Sequence, residues 1–148
     1  MTMSPELIDQ VLNNQITLSQ ALGLSDNVVE VFAILGAQCY EQGRYRDARS
    51  MFLAAVALNA NSYYGHAGLG AVALVEDDLD GALQSLQRAY GIYAGDPAVC
   101  GNVGEVMLRK GQLPEAVRYL REAVALDPAQ TNSHANRARG ILHAIQPH

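Results

Sequence analysis

VEVFAILGAQCYEQGRYRDARSMFLAAVALNANS, residues 29–62, is followed directly by two segments that copy its pattern, residues 63–96 and 97–130. Gly36, Gly70 and Gly104 recur at an interval of 34 residues, each preceded by an aliphatic residue, Leu35, Leu69 and Val103. Ala48, Ala82 and Ala116 keep that interval, as do Ala55, Ala89 and Ala123, and the bulky Phe52, Leu86 and Leu120. Agreement of four columns in three registers, without an insertion, marks an internal repeat. A period of this length predicts two antiparallel helices per unit, A and B, neither able to bury its apolar face alone. The fold class is therefore all-α, a solenoid of three helix-turn-helix repeats. The Gly and Ala columns read as crossing points, where a larger side chain would push the backbones apart.

The turn between A and B carries Gly43 in the first unit and Gly111 in the third, where a positive φ is convenient. The second unit has Asp77 there, inside Glu76-Asp77-Asp78-Leu79-Asp80. That departure reads as a slightly different, solvated turn, with an acidic functional patch as the alternative. Pro97 and Pro128 mark starts of A helices or ends of B helices.

Two flanks complete a single domain over residues 1–148. Residues 4–24 read as one helix or two short ones, with Ser4 as N-cap and Pro5 at the first helical position. Leu7, Ile8, Val11 and Leu12 fall on one face and are candidate dimer contacts; Ile16, Leu18, Leu22 and Leu24 follow. Asn13-Asn14-Gln15 is a break, Thr17 a second cap and Gly23 a stop. Asn27, with Glu30 three residues on, resembles a capping box opening the first repeat. Residues 131–146 predict a last, solvating helix.

Composition narrows the function. Apolar residues make up 49% of the chain, which argues against disorder. No apolar run approaches the ~20 residues of a membrane helix, and the N-terminus lacks a basic start before an apolar stretch, so neither membrane nor signal peptide is expected. Cys39 and Cys100 form no disulfide or metal framework, which suits a reducing cytoplasm. A net charge of -5 argues against nucleic acid as a partner. Lys110 and the scattered arginines make no polybasic tract.

The residues offer no catalytic constellation, metal set or cofactor motif, and the chain reads as non-enzymatic. His66 and His134 occupy the fourth, aromatic packing position of their A helices; His143 and His148 lie near the end. Cys39 and Cys100 hold positions read as buried, whereas a reactive thiol needs an electropositive, exposed setting. Gly65-His66-Ala67-Gly68-Leu69-Gly70 imitates a phosphate loop, but it falls within a helix and lacks the Gly-Lys-Ser/Thr ending.

The aromatic, Leu-Gly, Ala, aromatic and Pro columns resemble the tetratricopeptide repeat. The resemblance implies that A-helix positions 2, 5, 9 and 12 line a concave groove. Here position 2 carries Glu30, Tyr64 and Ala98, and the remaining positions give Ala33, Ala37 and Tyr40, then Ala67, Ala71 and Leu74, then Gly101, Glu105 and Leu108. Small residues leave room, while Tyr40, Tyr64, Leu74 and Leu108 supply apolar walls for an extended or helical peptide. Members that clamp a terminal carboxylate use Lys and Asn where this chain has Ala33 and Ala37. The alternative is that the small residues admit the N-terminal helix into the groove.

Thr17–Arg44, TLSQALGLSDNVVEVFAILGAQCYEQGR, resembles the start of the class II chaperones of type III secretion translocator proteins. HAGLGA (His66–Ala71) and GDPAVCGNVGEVMLRKGQLPEA (Gly95–Ala116) resemble their second and third repeats. The resemblance implies a bacterial cytoplasmic chaperone whose groove holds a hydrophobic segment of a secreted client, commonly as a homodimer. Tyr40 matches the family's groove aromatic, and Gly43-Arg44-Tyr45 its Gly-basic-Tyr turn. Two further groove aromatics are replaced by Ala33 and Ala37, implying pockets of a different shape. A non-enzymatic scaffold, assembling a complex through its convex or terminal surfaces, is the other reading.

Overall fold

The computed structural model describes residues 2–25 and 27–146, so His148 lies outside it. The chain forms two compact units, Met1–Gly68 and Leu69–His148. The first holds α1 (Pro5–Leu12), α2 (Leu18–Ala21), α3 (Asn27–Glu41) and α4 (Tyr45–Leu58). Helix α5 (Tyr63–Val75) runs from the first unit into the second, which continues with α6 (Leu79–Ile92), α7 (Pro97–Arg109), α8 (Leu113–Ala125) and α9 (Ser133–Ile145).

Local chemistry sets the ends. Ser4 caps α1 by accepting from the Leu7 amide, with Pro5 at the first turn, where a missing N–H costs nothing. Asn13 closes α1, and Asn14 follows at φ 55. Thr17 and Gln20 form a reciprocal capping box on α2. Gly23, at φ 66, stops it. Residues 4–24 are thus two short helices. Asn27 does not cap α3; it is the first helical residue, and its amide donates to Ser25 Oγ at 3.3 Å.

Each repeat closes on its glycine column. A Cβ on Gly36 would sit 2.7 Å from the Phe52 ring, and that ring also fills the space beside Gly68. In the second unit a Cβ on Gly70 would lie 2.5 Å from Leu86, and one on Gly104 2.7 Å from Leu120. The bulky B-helix column therefore inserts into the hole left by the A-helix glycine, and the alanines at 48, 55, 82, 89, 116 and 123 are fully buried.

Gly43 and Gly111 have φ 73 and 75, and Asp77 takes the same left-handed place at φ 61. The second turn keeps the geometry of the others. Its carboxylates are engaged: Asp78 accepts from the Gly81 amide at 3.0 Å as cap of α6, and Asp80 pairs with Lys110 at 2.5 Å. Asp77 lies 3.4 Å from Arg109.

In the second unit, α7 packs on α6, α8 and α9. Cys100, Leu120, Ala123, Ala138 and Leu142 form one core cluster. The Tyr90 hydroxyl donates to Glu122 at 2.6 Å, and this bond pushes its pKa up to about 12. After α8, the Asp127 carboxylate gathers the Thr131 amide, the Asn132 amide and Arg139, and so fixes the turn into α9.

Candidate functional site

The positions expected to line the groove fall into two sets. In the first unit, Ala33, Ala37 and Tyr40 follow the i, i+4, i+7 spacing that places residues along one side of α3. Ala33 is buried, Ala37 exposed and Tyr40 half-buried, its ring edge-on to Tyr45 with centroids 5.4 Å apart. On α5, Tyr64 is 66% exposed and rests edge-on against Tyr63, while Ala67 is half-buried. Ala37, Tyr40, Tyr64 and Ala67 offer small and aromatic surface, while Glu30, at the remaining position of the first unit, is an exposed acidic residue.

In the second unit, Ala71 and Leu74 lie on α5, and Gly101, Glu105 and Leu108 on α7. Arg109 draws the two helices together, donating to the Leu74 carbonyl at 3.4 Å. Leu74 is buried, whereas Ala71 and Leu108 remain half-buried. Glu105 is only 7% exposed, and its carboxylate is bonded by Arg109 at 2.6 Å and by Arg137 at 2.8 Å. A buried carboxylate demands such partners, since an isolated one is strongly disfavoured away from water. The Glu105–Arg109 spacing is visible in the sequence as an i, i+4 pair, but Arg137 comes from α9, 32 residues on, and no local signal announces it.

In the N-terminal segment, helix α2 packs on α4, and α1 on α2. An open cleft of about 150 Å³ separates the α1–α2 connection from the end of α4, lined in part by Val11, Ile16, Asn59 and Asn61. No residue of α1 is buried. Leu7 and Val11 are half-covered, whereas Ile8 and Leu12 stand 43% and 72% exposed. The four candidate dimer residues therefore divide, one pair turned inward and one outward. Sequence reading missed a second exposed apolar row, Val31, Ile34 and Leu35 on α3. It is left open because a first repeat has no preceding B helix to cover it.

Other singled-out residues have structural roles. His66 Nε2 lies 2.8 Å from the Ala60 carbonyl, and His134 sits in the first turn of α9, bonded through its backbone to Asn132. Cys100 is buried, and that burial pushes its thiol up to about 12, which makes it unreactive. Cys39 is only half-buried, contrary to its expected position. The glycines 65–70 lie within α5. Among the described residues, no group of three or more His, Cys, Asp or Glu is placed to hold a metal. No helix among them is long and apolar enough to cross a membrane.

The tetratricopeptide-repeat family matches residues 40–97 and, in a second form, residues 73–140. The chain belongs to that family. A curated relative, the Low calcium response locus protein H of Yersinia pestis, is 25% identical over 132 residues, covering 88% of this chain and 79% of the relative. Among solved structures, PcrH in complex with the chaperone binding region of PopD is 30% identical, with a TM-score of 0.72 over 82% of this chain and 93% of that one. The Yersinia enterocolitica type III secretion translocator chaperone SycD, in an alternative dimer, is 27% identical, with a TM-score of 0.72 over 82% and 93%.

Proposed function

We propose that this protein is a non-enzymatic chaperone of the bacterial cytoplasm, holding an apolar segment of a type III secretion translocator, or a related substrate, before export. The observation that carries the reading is the likeness to PcrH in complex with the chaperone binding region of PopD. The uncharged positions Ala37, Tyr40, Tyr64 and Ala67, with Ala71 and Leu108, supply the client-facing chemistry, while Leu74 belongs to the core. Apolar client side chains leave water there at ~25 cal/mol per Å², offset by the ordering of the segment. The chain acts as one domain in this reading, and it forms a homodimer through α1.

Co-expression with an apolar translocator segment tests the proposal. Stable capture is expected, weakened in Tyr40→Ala and in Ala71→Glu, while Asp78→Ala keeps its affinity. Asp78 caps α6, so that control loses about 1 kcal/mol of stability without touching the client. Capture of no apolar segment, or equal affinity in all variants, would reject the groove. The exposed row of Val31, Ile34 and Leu35 favours the second reading, a scaffold assembling through its terminal surface. There, Ile34→Asp would abolish partner binding while Tyr40→Ala would not.

A further inference from the structure

Two of the third repeat's groove positions are already occupied by the chain's own last helix. A Cβ added to Gly101 would meet the His134 carbonyl of α9 at 3.7 Å. One turn on, Arg137 Nη2 reaches both oxygens of Glu105, at 2.9 Å to Oε1 and 2.8 Å to Oε2. Arg109 holds the same carboxylate from its own helix at 2.6 Å, so the acceptor is fixed before α9 arrives. The crevice left between α7 and α9, lined by residues such as Gly101, Asn102, Ala138 and Ile141, measures about 10 Å³. That is the volume of at most one water molecule, and it admits no client side chain.

The apolar hold on α9 is slight at this end. Its first half buries only Ala135 and Ala138, and the larger Leu142 comes a turn later. Arg137 itself is 63% exposed, so its bond to Glu105 is open to water and salt. Asp127 anchors the start of α9 through Asn132 and Arg139, and Ala138 and Leu142 join the core, so parting this half-exposed charge pair frees α9 locally around Arg137 without unfolding the core.

We propose that α9 is an end-stop for the client groove, clasped by Arg137 on Glu105. The inference rests on the client-binding reading. The bound segment engages Ala71 and ends before Gly101, so the clasp sets the length and register of the segment that fits. Arg137 and Glu105 are positioning residues; they select the client by holding α9, not by touching it.

The test uses the full chain and two translocator segments, a core that binds and the same core lengthened by about five residues at each end. Wild type binds both alike. Arg137→Gln and Glu105→Gln bind the longer one about tenfold more tightly, as newly opened positions bury its added side chains. Hydrogen exchange in α9 quickens in both variants, and Arg137→Lys restores the wild-type pattern. Arg137 is exposed, so its variants fold even should Glu105→Gln not. If the longer segment gains equally in wild type and variants, or in none of them, the end-stop is refuted while client binding stands. If wild type binds neither segment, the client reading itself fails and the end-stop falls with it.

Discussion

Asp127 shows how one residue can replace a stretch of regular structure. It follows α8 and is buried, which by itself would raise its carboxyl pKa; the amides of Asn132 and Thr131, with Arg139 and the Thr131 hydroxyl, outweigh that and hold it below the ordinary 3.8. A folded-state value below the unfolded one means stability that is present above the unfolded value and lost as pH falls through the folded one. Asp127→Asn is therefore expected to unfold at lower urea than wild type at pH 7. The gap should begin to close below about pH 4, as the unfolded chain's carboxyl takes up its proton. A gap of constant size across that range would show that the carboxylate charge is not what the turn uses. Asp77 teaches a related lesson. Aspartate tolerates the left-handed conformation better than most residues, so the second turn survives without its glycine.

At the scale of elements, α1 is the least secured. Its eight residues are too few to hold a helix alone, and none of them is buried. Leu7 and Val11 face inward, so charging them would unseat α1 within its own chain. Ile8 and Leu12 face water and are the better probe of assembly. If α1 is the dimer contact, Ile8→Asp with Leu12→Asp halves the mass measured by light scattering and leaves the helical circular dichroism unchanged. An unaltered dimer would shift attention to the open row on α3. The column of glycines opposite Phe52, Leu86 and Leu120 has no such ambiguity, because each B helix can seat its bulky residue only where the A helix lacks a side chain.

For the whole molecule, client binding and folding are linked. A segment that binds the folded chain and not the unfolded one adds about 2.7 kcal/mol at a hundredfold excess over Kd. The urea midpoint should rise accordingly with an apolar translocator segment, and it should not rise with the same segment carrying aspartate at its apolar positions. An equal rise with both would mean that the contact is not the burial of apolar surface. The net charge of -5 lends such binding little electrostatic help, so its strength has to come from shape and apolar area.

The repeat, the helix pairs, the end signals at Ser4, Thr17 and Gly23 and the helix start at Pro97 were determined by the sequence itself. Each is a short-range demand, met by residues within a few positions or at a fixed interval, and periodicity exposes such demands. The groove positions were legible only as places on a helix. Arg109 is a local partner of Glu105, but the second arginine, Arg137, lies 32 positions away, and only α9 brings it to the buried carboxylate. The same holds for α1, whose one apolar face splits into an inward and an outward pair when α2 and α4 take their places. Side-chain spacing along a helix is local, but what covers a face is decided by segments far off in the chain, and that only the tertiary structure supplies.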